Sequence, residues 1–284
     1  MNDSKTSLKF LIISDIHDRI FNVRKMLDKI KTIKFDYVIC CGDIVTVPTG
    51  KNAEKETITP FMPILKNIFL ELEKIAPILW VPGNHDPYMY YTESYEEVTS
   101  KSKNLHKKYE QLDDNLYIVG LGGSVPILTG GTWTKDLIPF KDLDLNNVKY
   151  NGYPYDSKIY SDGDDKLLKD LNEIFEKIPD ENSQMILLSH LGPLYTNTNF
   201  MEEDGEVLYL GSKNLGEKYE KENRAFINIH GHTHLADGFV TLKPGKYVFN
   251  PGACYEGNYG ILEIRKDEGT NKWDVGSCII EYLY

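Results

Sequence analysis

Residues 8–43 read LKFLIISDIHDRIFNVRKMLDKIKTIKFDYVICCGD, and both apolar runs in that stretch stop at an aspartate. The first run, 8–13, closes on Ser14-Asp15, and the second, 35–41, closes on Gly42-Asp43. Between them, 21–33 places Val23, Leu27, Ile30 and Ile33 at helical spacing with Lys and Arg in the gaps. Residues 53–75 extend the pattern as one or two helices, interrupted near Pro60 and Pro63, and 77–81 is a third buried-type strand running into Pro82-Gly83-Asn84-His85-Asp86. Strand–helix–strand–helix–strand with right-handed crossovers predicts a parallel sheet. In such sheets the carboxyl ends of the strands line the ligand crevice, so three polar clusters in a row predict one shared site.

Downstream, 95–109 reads as a helix that would carry His106, and 116–121 as a strand ending at Gly122-Gly123. Residues 127–160 are rich in Gly, Pro, Asn, Asp and Tyr and predict an irregular surface insert. A helix over 165–178 has Leu167, Leu168, Leu171, Ile174 and Phe175 as its apolar stripe. A strand over 185–188 meets Ser189-His190, and another over 226–229 leads into Gly231-His232-Thr233-His234. Short strands at 239–242, 247–249, 260–264 and 275–282 predict an antiparallel or mixed sheet closing the chain. A second sheet packed on the first, with helices on both outer faces, satisfies the burial of every apolar face. With no linker and no internal repeat, residues 1–284 are expected to form one α/β domain.

Apolar residues are 41% and charged residues 26% of the chain, which excludes a disordered or collagen-like protein. Asp and Glu outnumber Lys and Arg by 43 to 32, a formal charge of −11. That field repels nucleic acid backbones and anionic membranes, so neither is the expected partner. Cys40, Cys41, Cys254 and Cys278 have no CxxC spacing. They read as buried free thiols of a reducing compartment, with the adjacent Cys40 and Cys41 on opposite faces of a strand. The first residues carry no apolar leader and no window reaches the 18 apolar residues of a span, so the cytoplasm is the expected location.

Five of the seven histidines stand in the polar clusters: His17, His85, His190, His232 and His234. Asp15-x-His17 and His232-x-His234 are i,i+2 pairs, which share one face of an extended backbone. Histidine and carboxylate gathered at successive strand ends are the material of a divalent cation site. Asp43, the only acid of its cluster, is the candidate bridge between two cations. His106 and His230 read instead as hydrogen-bonded structural residues, the latter turned away by alternation.

The ordered set Asp15/His17, Gly42-Asp43, Gly83-Asn84-His85-Asp86, His190 and Gly231-His232-Thr233-His234 resembles the calcineurin-like metallophosphoesterase superfamily. Asn250-Pro251-Gly252 and the strand after it, 259–263, are similar to that family's NPG turn and its following strand. The resemblance implies a four-layer α/β/β/α double β-sandwich of mixed sheets. It further implies that Asp15, His17, Asp43 and His234 hold one metal ion, and Asp43, Asn84, His190 and His232 a second. By the same resemblance His85 is a nonligand catalytic histidine. Asp86, next to it, reads as a catalytic partner that orients His85 or a ligand. A purely structural capping or turn role for Asp86 stands beside that reading.

Two cations roughly 3.5–4 Å apart would bind phosphoryl oxygens and activate a hydroxide between them for in-line attack, with His85 assisting the leaving oxygen. The mixed N/O donor set with no thiolate suits two divalent transition-metal ions, manganese first, with iron, zinc, cobalt or nickel as alternatives. The phosphoprotein phosphatase branch reads GDYVDRG and GNHE at its second and third motifs. This chain reads Gly42-Asp43-Ile44-Val45-Thr46-Val47-Pro48 and ends the third motif in Asp86, closer to the small phosphodiesterases and phosphoesterases. A phosphodiester is the expected substrate; a small-metabolite phosphomonoesterase or a noncatalytic protein-binding scaffold of the same fold are the alternatives.

Residues 191–224 are long, polar and acidic, which fits an acidic lid or a protein contact, or else an extra surface helix. Tyr88, Tyr90 and Tyr91 follow the third cluster and read as packing before substrate stacking. Cys41, beside Gly42-Asp43, is read as packing as well.

Overall fold

The structure is a computed structural model that describes residues 5–46, 58–91, 97–124, 128–129, 132–133, 158–194, 196–203 and 206–284. The amino-terminal half runs β1 (Ser7–Ile13), α1 (Ile20–Ile30), β2 (Tyr37–Cys40), α2 (Ile58–Leu72), β3 (Ile78–Trp80), β4 (Ser102–Asn104), β5 (Lys108–Asp113) and β6 (Leu116–Leu121). Two short strands, β7 (Leu128–Thr129) and β8 (Thr132–Trp133), precede α3 (Lys158–Glu176) and β9 (Gln184–Ser189). Then come β10 (Phe200–Glu203), β11 (Glu206–Tyr209), α4 (Lys213–Lys221), β12 (Ala225–Ile229), β13 (Gly238–Lys243), β14 (Lys246–Asn250), β15 (Asn258–Lys266) and β16 (Trp273–Tyr282).

Two six-stranded mixed sheets form, in the orders β16-β15-β1-β2-β3-β4 and β13-β14-β12-β9-β6-β5. In the first, β1 through β4 are parallel and β15 runs antiparallel to β1. In the second, β6, β9, β12 and β14 are parallel, with β5 and β13 antiparallel at the edges. Strand alternation sorts the apolar side chains into layers. Leu8, Phe10 and Ile12 face Ile118, Ile186, Leu188, Ile227 and Ile229 between the sheets. Leu11 and Ile13 face the other way, onto Val23 and Met26 of α1 and Leu65 and Phe69 of α2. On the outer face of the second sheet, Val119, Leu187 and Val248 pack on Leu171 and Phe175 of α3 and Leu215 and Tyr219 of α4. The result is the four-layer α/β/β/α sandwich. Cys40 lies in the helix-facing layer and Cys41 between the sheets, opposite faces as alternation requires.

Two expectations are corrected. Residues 95–109 are not a helix: β4 and the start of β5 occupy the described part. Lys and Glu favour a helix there, but tertiary pairing wins. Asn104 donates to the carbonyl of Tyr90 at 2.6 Å, its amide oxygen accepts from His106 N–H, and β4 completes the sheet edge beside β3. The four carboxyl-terminal strands do not make one sheet; β13 and β14 close the second, and β15 inserts beside β1 in the first. Of the one or two helices expected over 53–75, the described residues form α2 as one element: Pro60 lies in its first turn, where no N–H partner is needed, and Pro63 costs a single backbone bond.

The irregular insert expected over 127–160 lies largely outside the described residues; within it β7 and β8 pair antiparallel. Residues 191–224 contain the β10–β11 hairpin and α4, which packs on α3. All four cysteines are free, three buried and Cys278 half-buried. No helix among the described residues is long and apolar enough to cross a membrane.

Candidate metal centre

The parallel strands β1, β2 and β3 of one sheet and β9 and β12 of the other end at the same place. Their end loops are bonded to one another along the main chain. Asp15 N–H donates to Gly42 O at 3.0 Å, and Ile16 and His17 both donate to Asp43 O. Gly231 N–H donates to His190 O, and Cys254 and Tyr255 donate to Ser14 O and Asp15 O. Gly42 has φ +100°, and a Cβ there would lie 2.5 Å from Gly83 N and 2.7 Å from His190 Nδ1. Only glycine permits that approach. Asp15, His17, Asp18, Asp43 and His232 are themselves left-handed, with φ between 47° and 69°. Each such residue costs roughly 1–2 kcal/mol, and strain of this kind concentrates where side chains must be aimed.

These turns bring the side chains of all nine expected site residues to one region. Ligand atoms of Asp15, His17, Asp43 and His234 lie within 4.8 Å of one another. His234 Nε2 is 3.2 Å from Asp15 Oδ1 and 3.4 Å from His17 Nε2. Asp43 Oδ2 stands 3.8 Å from His17 Nε2 and 3.4 Å from His190 Nε2, between the two histidines. His190 Nε2 is also 2.9 Å from Asn84 Oδ1, and the His190 ring packs edge-on against His232 at 5.0 Å. The His190 Nδ1–H donates to the Cys41 carbonyl at 2.7 Å. Cys41 thus touches the site through its main chain, while its thiol, pushed well up by burial, stays in the core.

Burial works against every charge in this cluster, and partner charges decide the outcome. Burial raises the Asp15 carboxyl, but the His234 bond and the positive charges of His234 and His190 outweigh it and hold it at about 2. Asp43 is buried too, and His190, His85 and His17 hold it well below the usual carboxylate range. Burial would lower His190, yet Asp43 and Asp15 lift it to about 9. For His232, burial and the nearby His190 outweigh the pull of Asp43 and Asp15 and drop it to about 3.

A divalent cation fits this donor set. His232 Nε2 is buried without a hydrogen bond, Asp15 Oδ1 has only His234 Nε2 beside it at 3.2 Å, and His190 Nε2 faces two oxygens that cannot donate to it when the ring is neutral. Buried polar atoms are normally satisfied, so lone pairs converging on one another mark a place for a positive ion. The His17 and His234 side chains are 15% and 32% exposed, so the cluster opens to solvent on that side.

His85 lies beside His17 and is half-buried. Its main-chain N–H donates to Asp43 Oδ1 at 2.7 Å, its ring lies edge-on to His17 at 5.3 Å, and Nδ1 has no partner. Asp86 addresses the main chain: it accepts from the N–H groups of Ile44, Val45 and Gly83 at 2.8–3.1 Å. Burial and Asp43 raise its carboxyl to about 7.

Three neighbours carried no signal in the sequence. Thr46 Oγ1 is 2.9 Å from His17 Nδ1, Tyr255 Oη is 3.0 Å from His234 Nδ1, and Asn199 accepts from Thr233 Oγ1 at 2.7 Å. Each lies far along the chain from its partner, where spacing says nothing. His230 turns to Thr198 Oγ1 and His106 accepts from Gly122 N–H, both as structural residues. Tyr90 is buried in the core and Tyr91 donates to Gly83 O, the packing roles expected of them.

The sequence profile of the calcineurin-like phosphoesterase family matches residues 8–236. A segment of 97 residues is 32% identical to uncharacterized protein R555 of Acanthamoeba polyphaga mimivirus, covering 30% of this chain and 7% of that relative. Among solved structures, TT1561 of Thermus thermophilus is similar with TM-score 0.57 and 15% identity, over 98% of this chain and 100% of that one. A dimetal phosphatase from Danio rerio is similar with TM-score 0.52 and 13% identity, over 98% and 99% of the two chains. At those identities the likeness concerns the fold.

Proposed function

The chain belongs to the calcineurin-like phosphoesterase family, and from that premise we propose that it hydrolyses phosphate esters, diesters before monoesters, at a centre for two divalent transition-metal ions. The observation that carries the proposal is the meeting of Asp15, His17, Asp43 and His234 within 4.8 Å. Those four residues would hold one ion, and Asp43, Asn84, His190 and His232 the other. The sharing of Asp43 is supported by its Oδ2 lying between His17 and His190. Bound there, manganese or a related ion would supply Lewis acidity toward the phosphoryl oxygens and a water of lowered pKa.

The remaining work falls to the chain. His85, beside His17 and with Nδ1 buried without a partner, would hydrogen-bond a phosphoryl oxygen or protonate the leaving oxygen. Asp86 acts as a positioning residue, fixing the loops of Asp43 and Asn84 through three main-chain amides. The formal charge of −11 disfavours polyanions and leaves a small phosphate ester as the substrate class.

The test is a paired assay of metal-stripped protein refilled with manganese, on bis-p-nitrophenyl phosphate and p-nitrophenyl phosphate. Faster turnover of the diester is expected. Faster turnover of the monoester would replace the diester reading with a phosphomonoesterase, and bound metal without turnover on either would point to a scaffold.

A further inference from the structure

His190 and His234 present the same nitrogen, Nε2, to the cluster, but their far nitrogens meet different partners. For His190 that partner is a carbonyl, which can only accept, so Nδ1 carries the proton. For His234 it is the Tyr255 phenol, 3.0 Å away, which can accept or donate. A donating phenol would leave the proton of a neutral ring on Nε2 and take that nitrogen out of use as a ligand. Of the two, only acceptance leaves the Nε2 lone pair, 3.2 Å from Asp15 Oδ1, free for an ion, because a neutral ring that ligates through Nε2 carries its proton on Nδ1.

The phenol is also held in place from several sides. Tyr255 N–H donates to Asp15 O at 3.1 Å, and the buried Asn22 side chain donates to the carbonyls of both Cys254 and Tyr255. Asn22 is itself fixed by the Tyr284 hydroxyl at 2.9 Å. The Tyr255 ring packs edge-on against His17 at 5.4 Å and His234 at 5.0 Å.

We infer that Tyr255 is a positioning residue of the metal centre, whose phenol oxygen accepts the Nδ1 proton of His234 and so commits Nε2 to the ion held by Asp15, His17 and Asp43. The inference rests on the metal-centre reading above and assigns the His234–Tyr255 pair to one of its two ion positions. Outer partners of ligand histidines commonly control affinity by roughly 10–100-fold.

Tyr255→Phe removes the oxygen and keeps the ring against His17 and His234. Calorimetric titration of metal-stripped protein with Mn2+ alone reads the two binding steps separately. The variant is expected to weaken one step at least ~10-fold and leave the other unchanged, with the Tm of the metal-free protein at the wild-type value. Tyr109→Phe, which removes an exposed phenol on β5 outside the cluster, is expected to leave both steps unchanged. Wild-type affinities at both steps in Tyr255→Phe would overturn the inference. So would equal weakening of both steps together with a lowered Tm, which is the mark of a merely structural residue. A wild-type chain that takes up no Mn2+ would instead overturn the metal-centre reading itself.

Discussion

The side chain of His190 and the main-chain carbonyl of Cys41 form a 2.7 Å hydrogen bond that joins the end of β9 in one sheet to the end of β2 in the other. Its direction is fixed by chemistry, since a carbonyl cannot donate. The opposite nitrogen is thereby aimed at Asp43 and Asn84 from a completely buried position. The centre is thus a property of the interface between the sheets. Asp15, His17, Asp43, Asn84 and His85 come from the first, and His190, His232 and His234 from the second. Any change that lets the sheets shift relative to each other also separates the donors.

Asp43 and His85 are adjacent in the site but are expected to fail differently. Asp43→Ala removes the oxygen lying between His17 and His190, and metal and turnover should be lost together. His85→Ala removes no donor from the cluster and should keep both ions while lowering kcat by roughly 10²–10⁴-fold, the usual worth of a general acid. Metal content of each purified variant, measured beside its rate on the diester, checks the pair. A His85 variant short of one ion would sink the division of roles.

Asp86 is expected to act on stability first. Asp86→Ala leaves the N–H groups of Ile44, Val45 and Gly83 buried without their acceptor. An unsatisfied buried donor costs about 1–3 kcal/mol, so a total above ~3 kcal/mol is expected. Asp86→Asn keeps one acceptor oxygen and should lose less. Urea midpoints measured beside diester turnover give the answer: a rate that collapses at unchanged stability would mean that Asp86 acts through His85 after all.

What the sequence revealed about this site followed from local pattern, and what it hid was tertiary. Buried parallel strands are continuous apolar runs, so 8–13, 35–41 and 77–81 stood out, and each polar cluster lay immediately beyond one. β4 left no such trace. Its three residues are Ser102, Lys103 and Asn104, held by pairing with β3 and by the Asn104 bonds, and nothing in their spacing opposes a helix. The division of the last four strands between two sheets was equally invisible, because alternation gives a strand its buried face but not its neighbour. The left-handed turns at Asp43 and His232 each follow a glycine and were foreseeable; those at Asp15 and His17 were not. Partners such as Thr46 and Tyr255 act through one atom each, a kind of contact that leaves no periodicity.

His106 makes acid stability testable away from the metal centre. Burial, with Lys107, Lys108 and Lys166 as lesser causes, lowers its pKa from 6.5 to about 3. The folded ring stays neutral where the unfolded one is protonated, so the unfolded state binds the extra proton. Stability is therefore complete above pH 6.5 and falls as the pH drops toward 3, by up to about 1.4 kcal/mol per pH unit from this group. His106→Gln can still accept from Gly122 N–H but has no proton to gain. With metal removed, the wild type should lose about 1 kcal/mol more than His106→Gln between roughly pH 7 and pH 5.5, read from urea midpoints. Equal losses in the two proteins would show that His106 is not held neutral.

Gly42 and Gly245 separate backbone strain from close approach. Both are left-handed, with φ +100° and +71°, but a Cβ on Gly245 meets nothing within 4 Å. Gly245→Ala should therefore cost only the conformational term, about 1 kcal/mol. A Cβ on Gly42 would lie 2.5 Å from Gly83 N and 2.7 Å from His190 Nδ1, and neither neighbour is the loose end of a side chain. The His190 ring cannot retreat without leaving the Cys41 carbonyl, and Gly83 cannot retreat without leaving Asp86. Gly42→Ala must then part the loops that carry Asp43 and Asn84, and it should lose manganese as well as Tm. Thermal unfolding and metal content of the two variants test this directly. Equal Tm losses with manganese retained in both would mean that the loops can absorb a methyl group, and that the sheet interface does not hold the centre as tightly as its hydrogen bonds indicate.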